Sequence, residues 1–280
     1  MMNKSKIEWC DFTWNPVTGC QHGCSYCYAA KQASRFSGNV MINKASGQLR
    51  KKNGLWVLEK PFKNEAGKVT PFPVKFEPLL HEYRLSMPEQ KKKPAIIFVV
   101  SMGDLFGEWV PDVWIEKVFR AAQAAPWHTY LFLTKNPQRY IRLAEDEKLP
   151  KDDNFWYGTT VTRPDQQYAW FGDGTYHWFL SIEPIQEDFG VFGAAGECAP
   201  PWIIVGAETG QQKNKTAPKP EWIQHILDFA RGHGSKVFLK DNLAPHLGDS
   251  IALTQEWPEG FKKNPQQEKI DCGKGSVHQK

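Results

Sequence analysis

The 280-residue sequence has no apolar run approaching the ~20 residues of a membrane-spanning helix, and Met1 to Lys6 lack the apolar segment of a secretory signal. Those absences lead us to expect a cytoplasmic protein. Net charge is also scarce: 35 Lys and Arg against 31 Asp and Glu leave +4, with a pI near 8.6. That balance is compatible with a nucleic-acid or nucleotide substrate and by itself argues little for one. No internal repeat or domain linker stands out. Cysteine is limited to six residues, and three of them, Cys10, Cys198 and Cys272, stand alone and read as buried or incidental thiols. An even count would allow disulfides. Without a secretion signal, the regular spacing of the other three reads instead as metal binding in a reducing compartment. At 41% hydrophobic and 24% charged residues the composition is that of an ordinary globular protein, long enough for one large core or two small ones. Twelve Trp is a high count. Aromatics can stack on bases, although core packing accounts for most of them.

What the chain does have is a short, dense loop. Cys20, Cys24 and Cys27 follow a C-x3-C-x2-C spacing, with Tyr26 directly before the third cysteine. Three thiolates on one loop can hold three irons of a [4Fe–4S] cluster and leave the fourth without a protein ligand. Such an open iron is what binding of the methionine end of S-adenosylmethionine (SAM) requires. The competing reading is a structural zinc site with Cys10 or His22 as fourth ligand. Zinc sites usually use two separated ligand pairs, and no second pair is present.

Around the loop, residues 7–18 read as a first strand, and 28–36 hold good helix formers without a breaker. Residues 37–72 are polar and rich in Gly and Lys, without clear periodicity; we expect an insertion there, with a hairpin around 55–58. Short β-branched or aromatic runs then recur at 74–76, 95–100, 129–133, 155–160, 178–182, 202–205 and 236–239. Between them lie amphipathic stretches such as 111–124 and 220–231, each opened by a Pro that suits the first helical turn. Strands alternating with helices imply a parallel sheet. With the first strand the count is eight, so the expected fold is α/β: a TIM-barrel-like (β/α) barrel over residues 1–252, either full with eight units or partial with six. An open doubly wound sheet is the runner-up, and 253–280 reads as a loose C-terminal extension carrying little core.

In parallel barrels chemistry gathers at the carboxyl ends of the strands. Those ends here are Ser101-Met102-Gly103-Asp104, Thr134-Lys135-Asn136, Thr159-Thr160-Val161-Thr162, Ser181-Ile182-Glu183-Pro184, Gly206-Ala207-Glu208-Thr209-Gly210 and Lys240-Asp241-Asn242. Every one is polar.

The cysteine loop resembles the cluster motif of the radical SAM superfamily, whose usual form is C-x3-C-x-aromatic-C. More closely, the chain is similar to a phage-associated family of radical-SAM-like proteins over most of residues 5–242. The resemblance rests on Lys6-Ile7-Glu8-Trp9, Thr13-Trp14-Asn15-Pro16-Val17-Thr18-Gly19-Cys20, Ser101-Met102-Gly103-Asp104-Leu105-Phe106, Leu133-Thr134-Lys135-Asn136-Pro137, Leu180-Ser181-Ile182-Glu183-Pro184 and Val205-Gly206-Ala207-Glu208-Thr209-Gly210. It implies a radical SAM barrel, one [4Fe–4S] cluster on Cys20, Cys24 and Cys27, and SAM as cofactor or cosubstrate. It also implies Tyr26 near the adenine, with Ser101, Thr134, Lys135, Thr160 and Glu183 around the methionine and ribose. One departure stands out. The glycine-glycine-glutamate segment of many superfamily members is absent, and Glu77-Pro78-Leu79 stands where it would follow the second strand.

The implied chemistry is reductive cleavage of SAM to a 5′-deoxyadenosyl radical that takes hydrogen from the substrate, with flavodoxin or ferredoxin as a suitable reductant. Glu208 and Lys240 are the expected substrate contacts, set against a purely structural ion pair closing the barrel. For the substrate we expect a nucleic-acid base or an attached group, and specifically rearrangement of an amino-acid-modified thymine in phage-type hypermodified DNA. Radical modification of a peptide and a DNA-repair lyase reaction are the alternatives within the class. Outside it stands a non-catalytic nucleic-acid-binding protein with a zinc site, using Arg50-Lys51-Lys52 and Lys91-Lys92-Lys93, although such runs usually form solvated surface.

Overall fold

The structure is a computed structural model and describes residues 2–190, 199–209, 216–248 and 250–261. Cys198 and Cys272 lie outside the described residues. The first strands are β1 (Asn3–Lys4), β2 (Phe12–Trp14) and β3 (Val17–Thr18); the loop after β3 leads into helix α1 (Tyr28–Phe36). The insertion then supplies α2 (Val40–Ala45) and a hairpin of β4 (Arg50–Lys52) and β5 (Leu55–Leu58), followed by β6 (Leu79–His81) and α3 (Met87–Gln90). From β7 (Ile96–Val99) the chain alternates through α4 (Asp112–Gln123), β8 (Thr129–Thr134), α5 (Pro137–Glu145) and β9 (Phe155–Val161). It continues through β10 (His177–Ile182), β11 (Trp202–Val205), α6 (Pro220–His233) and β12 (Lys236–Leu239).

Among the described residues eight strands form the main sheet in the order β1-β2-β7-β8-β9-β10-β11-β12, antiparallel only where β1 meets β2. Each later strand adds beside the one before it, and the strand order never reverses. A doubly wound sheet would require that reversal, so the runner-up architecture is set aside. Among the described residues no pairing returns from β12 to β1 or β2, so the sheet stays open and no full eight-unit barrel closes.

Alternation along the strands separates two faces. On one, Ile97, Val99, Tyr130 and Phe132 pack against Trp114 and Val118 of α4, Tyr140 of α5 and Ile223 of α6. On the other, Ile96, Phe98, Leu131, Trp156, Phe179 and Ile204 meet Trp9 and Cys10 from before β2 and Phe261 from the C-terminal segment. The grouped helices therefore sit against one face, and the opposite face is floored by aromatic side chains.

Two expectations change. Residues 74–76 form a turn, with Lys75 at φ 61°, its N–H bonded to Phe72 O at 3.0 Å, and Glu77 N–H bonded to Val74 O at 3.3 Å. Pro73 and Pro78 bracket the segment, and neither can donate to a ladder. The strand forms after them, as β6, and joins the small sheet β3-β6-β5-β4 instead of the main one. The main sheet thus has seven parallel strands, β2 and β7 to β12, where eight were expected. The second change is in the tail: 253–261 carries core. Leu239 N–H bonds Thr254 O at 2.7 Å, Glu256 N–H bonds Val237 O at 2.9 Å, and Phe261 packs on Trp156 and Trp202. This short pairing covers the outer edge of β12, which would otherwise present unpaired backbone groups.

No helix among the described residues is long and apolar enough to cross a membrane.

Candidate functional site

The cysteine loop is tied down at its start by close backbone contacts. Gly19 sits at φ +92° and donates to Met102 O at 2.9 Å; a Cβ there would lie 2.2 Å from Glu77 O. Gly103 faces it, with room for a Cβ only 2.7 Å from Gly19 O. Both positions need glycine because two backbones approach where a side chain would stand. Cys20 N–H then bonds Phe76 O at 3.1 Å, and Cys27 N–H bonds Cys24 O at 3.1 Å. Cys27 is the N-cap of α1, its Sγ accepting from Ala30 N–H at 3.4 Å. The turn that displaced the expected second strand therefore holds the cysteine loop.

A cavity of roughly 250 Å³ opens above the aromatic floor, at the carboxyl ends of the parallel strands. All eleven residues singled out from the sequence line it: Cys20, Cys24, Cys27, Tyr26, Ser101, Thr134, Lys135, Thr160, Glu183, Glu208 and Lys240. Ile7, Trp9, Phe98 and Leu133 form its apolar side.

Two networks organise the polar side. Asp104, 4% exposed, accepts from Thr134 Oγ1 at 2.8 Å, Lys135 N–H at 3.0 Å and Phe106 N–H at 3.0 Å. Its Oδ2 also lies 2.7 Å from His22 Nε2, which joins the cysteine loop to the ends of β7 and β8. The second network pairs Lys240 Nζ with Glu183 Oε1 at 2.7 Å, and Ser181 Oγ donates to Glu183 Oε2 at 2.9 Å. Gly206 makes room for that pair, since a Cβ would fall 2.8 Å from Glu183 Oε1 and 3.0 Å from Lys240 Cδ. Burial pulls the Lys240 pKa down, but the charge and hydrogen bond of Glu183, with Glu8 behind, outweigh it and raise it above the ordinary lysine value. Lys240 is thus a held ammonium. Glu208 is 7% exposed, with no hydrogen-bond or ion-pair partner among the described residues. The expected alternative of an ion pair at the strand ends exists, but it joins Lys240 to Glu183 and leaves Glu208 out.

Cys20 fits a cationic partner. Burial first, then Asp104, Cys24 and Cys27, push the Cys20 thiol up to about 12, so its thiolate needs compensating charge. Lys135 is buried enough that its pKa falls, yet the three cysteines and Asp104 pull it upward, so it lies within electrostatic reach of all of them. Its Nζ stands 5.3 Å from the centre of the Tyr26 ring. No three His, Cys, Asp or Glu side chains among the described residues are grouped so as to hold a single metal ion. A cubane does not ask for that, because each thiolate takes its own iron corner. Of the two fourth ligands that zinc could use, the Cys10 thiol is buried against Ser5 Oγ at 3.2 Å, away from the loop cysteines, while His22 turns Nε2 to Asp104, a contact that a ligand through Nδ1 would also make.

Sequence reasoning quoted Asp104 and Asn15 within motifs but gave neither a role. Asn15 Oδ1 accepts from Met102 N–H at 2.8 Å and Ser101 Oγ at 3.3 Å, fixing the segment that carries Ser101. Thr134, expected on the cofactor, spends its hydroxyl on Asp104. The basic runs stay outside: Arg50 pairs with Glu59, and Lys91 and Lys92 lie over Phe12 and Trp127.

Among solved structures, spore photoproduct lyase complexed with dinucleoside spore photoproduct is similar at TM-score 0.50 and 10% identity, over 86% of this chain and 79% of that one. A mutant form of spore photoproduct lyase gives TM-score 0.48 at 11% identity, with the same coverage of 86% and 79%. The first likeness shows a shared fold. No curated protein matches the sequence. Residues 4–246 match the model of the family described as "Protein of unknown function (DUF5131)", and the chain belongs to that family.

Proposed function

We propose that the chain is a radical SAM enzyme acting on a nucleotide-type substrate. The observation that carries this reading is the convergence of Cys20, Cys24 and Cys27 with the polar ends of six successive parallel strands, β7 to β12, on one cavity. When bound, a [4Fe–4S] cluster with SAM at its open iron supplies reductive C5′–S cleavage and a 5′-deoxyadenosyl radical. Cys20, Cys24 and Cys27 would hold the cluster, with the electron coming from a flavodoxin or ferredoxin. Tyr26, Ser101, Lys135, Thr160 and Glu183 line the space for SAM, and Thr134 acts as a positioning residue through Asp104. Lys240, protonated against Glu183, and Glu208, whose carboxylate has no partner among the described residues, face the substrate. The aromatic floor of Trp9 and Phe98 limits water beneath the reacting groups.

The substrate class draws support from the shared fold with a lyase that holds a dinucleoside. Within it, our finer reading is rearrangement of an amino-acid-modified thymine in phage-type hypermodified DNA. A DNA-repair lyase reaction is the second reading, favoured by the same likeness. The test is anaerobic purification followed by iron analysis and reduction in the presence of SAM. We expect brown protein with about four irons per chain, and deoxyadenosine formed on reduction. Both should disappear when any of Cys20, Cys24 and Cys27 is replaced by Ala. Colourless, zinc-loaded protein inert toward SAM would sink the reading. Deoxyadenosine formation that modified DNA or nucleoside does not stimulate would remove the substrate class and leave the chemistry.

A further inference from the structure

A second, larger cavity of roughly 760 Å³ adjoins the first, and Ile7, Tyr28 and Ser101 line both. Its walls are β1, the face of α1 that carries Tyr28, Gln32 and Phe36, and the insertion segment that carries Pro61, Val69 and Phe72. The volume lies in the ~300–1,000 Å³ range of ligand sites.

Its chemistry is one-sided. Among the described residues the lining includes the cations Lys4, Lys6 and Arg84 and no Asp or Glu. Lys4 and Lys6 are exposed and make no ion pair among the described residues. Arg84 is held only by neutral groups, its Nη1 donating to Asn15 O at 2.9 Å and its Nε to Tyr83 Oη at 3.1 Å. Burial lowers its pKa, as happens to a cation whose charge no carboxylate offsets. Lys4 also lies within electrostatic reach of Asp11, outside the lining, whereas Lys6 and Arg84 have no carboxylate partner among the described residues; cations gathered on one concave wall attract an anion.

The same wall is aromatic. Tyr28 and Phe36 are 46% and 50% exposed and stand two turns apart on one ridge of α1. Tyr28 is anchored by its hydroxyl to Ser101 O at 2.8 Å, and Phe36 has the Arg35 guanidinium 5.3 Å from its centre. Half-exposed rings beside lysines that make no ion pair among the described residues match the way proteins hold single-stranded nucleic acid, with bases stacked on rings and phosphates on cations. A paired duplex offers no free base faces to such rings.

We propose that this second cavity binds the single-stranded nucleic-acid segment carrying the reacting nucleotide. Lys4 and Lys6 take phosphates, Tyr28 and Phe36 stack bases, and the wall shared at Ile7, Tyr28 and Ser101 is where the target nucleotide reaches the first cavity. The proposal rests on the function above for its reacting nucleotide, and on the second cavity alone for its binding. It also gives the insertion a role, since Pro61, Val69 and Phe72 form the far wall.

The test is fluorescence anisotropy of the full chain, without SAM, against a labelled single-stranded oligodeoxythymidine of about ten nucleotides, within the usual footprint of such grooves. The Lys4→Glu/Lys6→Glu double variant should bind at least tenfold more weakly. Its log K against log salt slope should be shallower by about 1.4, at about 0.7 per lost phosphate contact. Phe36→Ala, at a half-exposed position, should weaken binding about fivefold or more with its salt slope unchanged. The charge-matched control Lys148→Glu/Lys151→Glu should bind as the wild type does. An oligonucleotide that does not bind, or that binds the two double variants alike, overturns the proposal. So does a polyglutamate of equal length that binds as tightly and ignores Phe36→Ala. The readout involves neither cluster nor SAM. Lysine-dependent binding in a chain that never cleaves SAM keeps the site and removes the enzyme reading; SAM cleavage without oligonucleotide binding does the reverse.

Discussion

One added methyl group separates two glycines of the cysteine loop. Gly19 and Gly23 both have positive φ, +92° and +70°. Alanine at either must enter a region that L-residues rarely adopt, at a cost of about 1–2 kcal/mol. There the similarity ends. Around Gly23 nothing lies within 4 Å of the added Cβ, so Gly23→Ala should cost about 1 kcal/mol and no more than the backbone strain. At Gly19 the Cβ meets Glu77 O at 2.2 Å and Pro78 N at 2.7 Å, both backbone atoms that no rotamer can move. The loop would have to retreat by about an ångström, straining the Gly19 N–H bond to Met102 O and the neighbouring Cys20 N–H bond to Phe76 O. Overpacking of this kind adds about 1–3 kcal/mol, so Gly19→Ala should lose about 3 kcal/mol or more in total. At about 2 °C per kcal/mol for a chain of this size, the melting temperature should fall by about 6 °C for Gly19→Ala and about 2 °C for Gly23→Ala. Urea midpoints should rank the same way. On the cluster reading, Gly19→Ala also lowers iron content after reconstitution, while Gly23→Ala retains it. Equal losses in the two variants would refute the argument, because the backbone packing against Glu77 and Pro78 is what sets Gly19 apart.

Asp104→Ala should cost about 3–5 kcal/mol, because it strands the Thr134 hydroxyl and the N–H groups of Lys135 and Phe106 in a buried setting. Asp104→Asn, which keeps an acceptor oxygen, should cost markedly less, and urea denaturation of both variants checks the order. His81 is wholly buried, its Nε2 2.9 Å from Thr18 Oγ1; burial, with Arg84 adding, holds its pKa well below the ordinary value of 6.5. The unfolded chain therefore binds a proton there that the native chain refuses. Its stabilising effect is complete above pH 6.5 and declines as the pH falls below it, by up to about 1.4 kcal/mol per pH unit. His81→Gln should flatten that part of the stability curve between pH 7 and 5, and identical slopes in variant and wild type would contradict it. In the metal-free chain, the Cys20 pKa moves from 9.0 to about 12, cutting the thiolate fraction about a thousandfold. Higher intrinsic nucleophilicity returns part of that, so attack on an aromatic disulfide reagent should run about 30-fold or more slower than for cysteine in an unfolded peptide. Stopped-flow absorbance on the chain in which Cys20 is the single cysteine measures it, since burial, the largest cause of the shift, is retained there.

The strands that were legible in advance were the ones buried on both faces. The runs that became β7, β8, β10 and β11 are nearly continuous apolar or aromatic stretches, since helices cover one side and the aromatic floor the other. The run at 74–76 carried the same signal over three residues, too few to outweigh two prolines. Its turn became a backbone clamp on Gly19 and Cys20, a role that apolar periodicity cannot encode. The tail at 253–261 misled for the opposite reason. It is polar by composition, and its anchoring depends on backbone hydrogen bonds to β12 and ring contacts to Trp156 and Trp202 that no local pattern announces.

The candidate site divides along the same line. Residue types at strand ends located the cavity, because every polar end of a singly wound parallel sheet faces the same mouth. Which of those side chains would reach outward and which would bind one another was a matter of geometry. Thr134 and Lys135 stood together in one motif, yet the Thr134 hydroxyl turns to Asp104 while the Lys135 ammonium reaches the ring of Tyr26. Lys240 and Glu208 were set together as a possible pair, yet Lys240 took Glu183, the acid across Gly206, where the absence of a side chain leaves room. The Glu183 oxygens are already taken up by Lys240 Nζ and Ser181 Oγ, whereas Glu208 makes no hydrogen bond or ion pair among the described residues. The two carboxylates thus have different assignments from the same kind of position. Replacing Glu183 should disturb the site through Lys240, and replacing Glu208 should act on the bound molecule directly. A Glu183→Gln variant that left Lys240 fixed in place, or a Glu208→Gln variant that loosened it, would reverse those assignments.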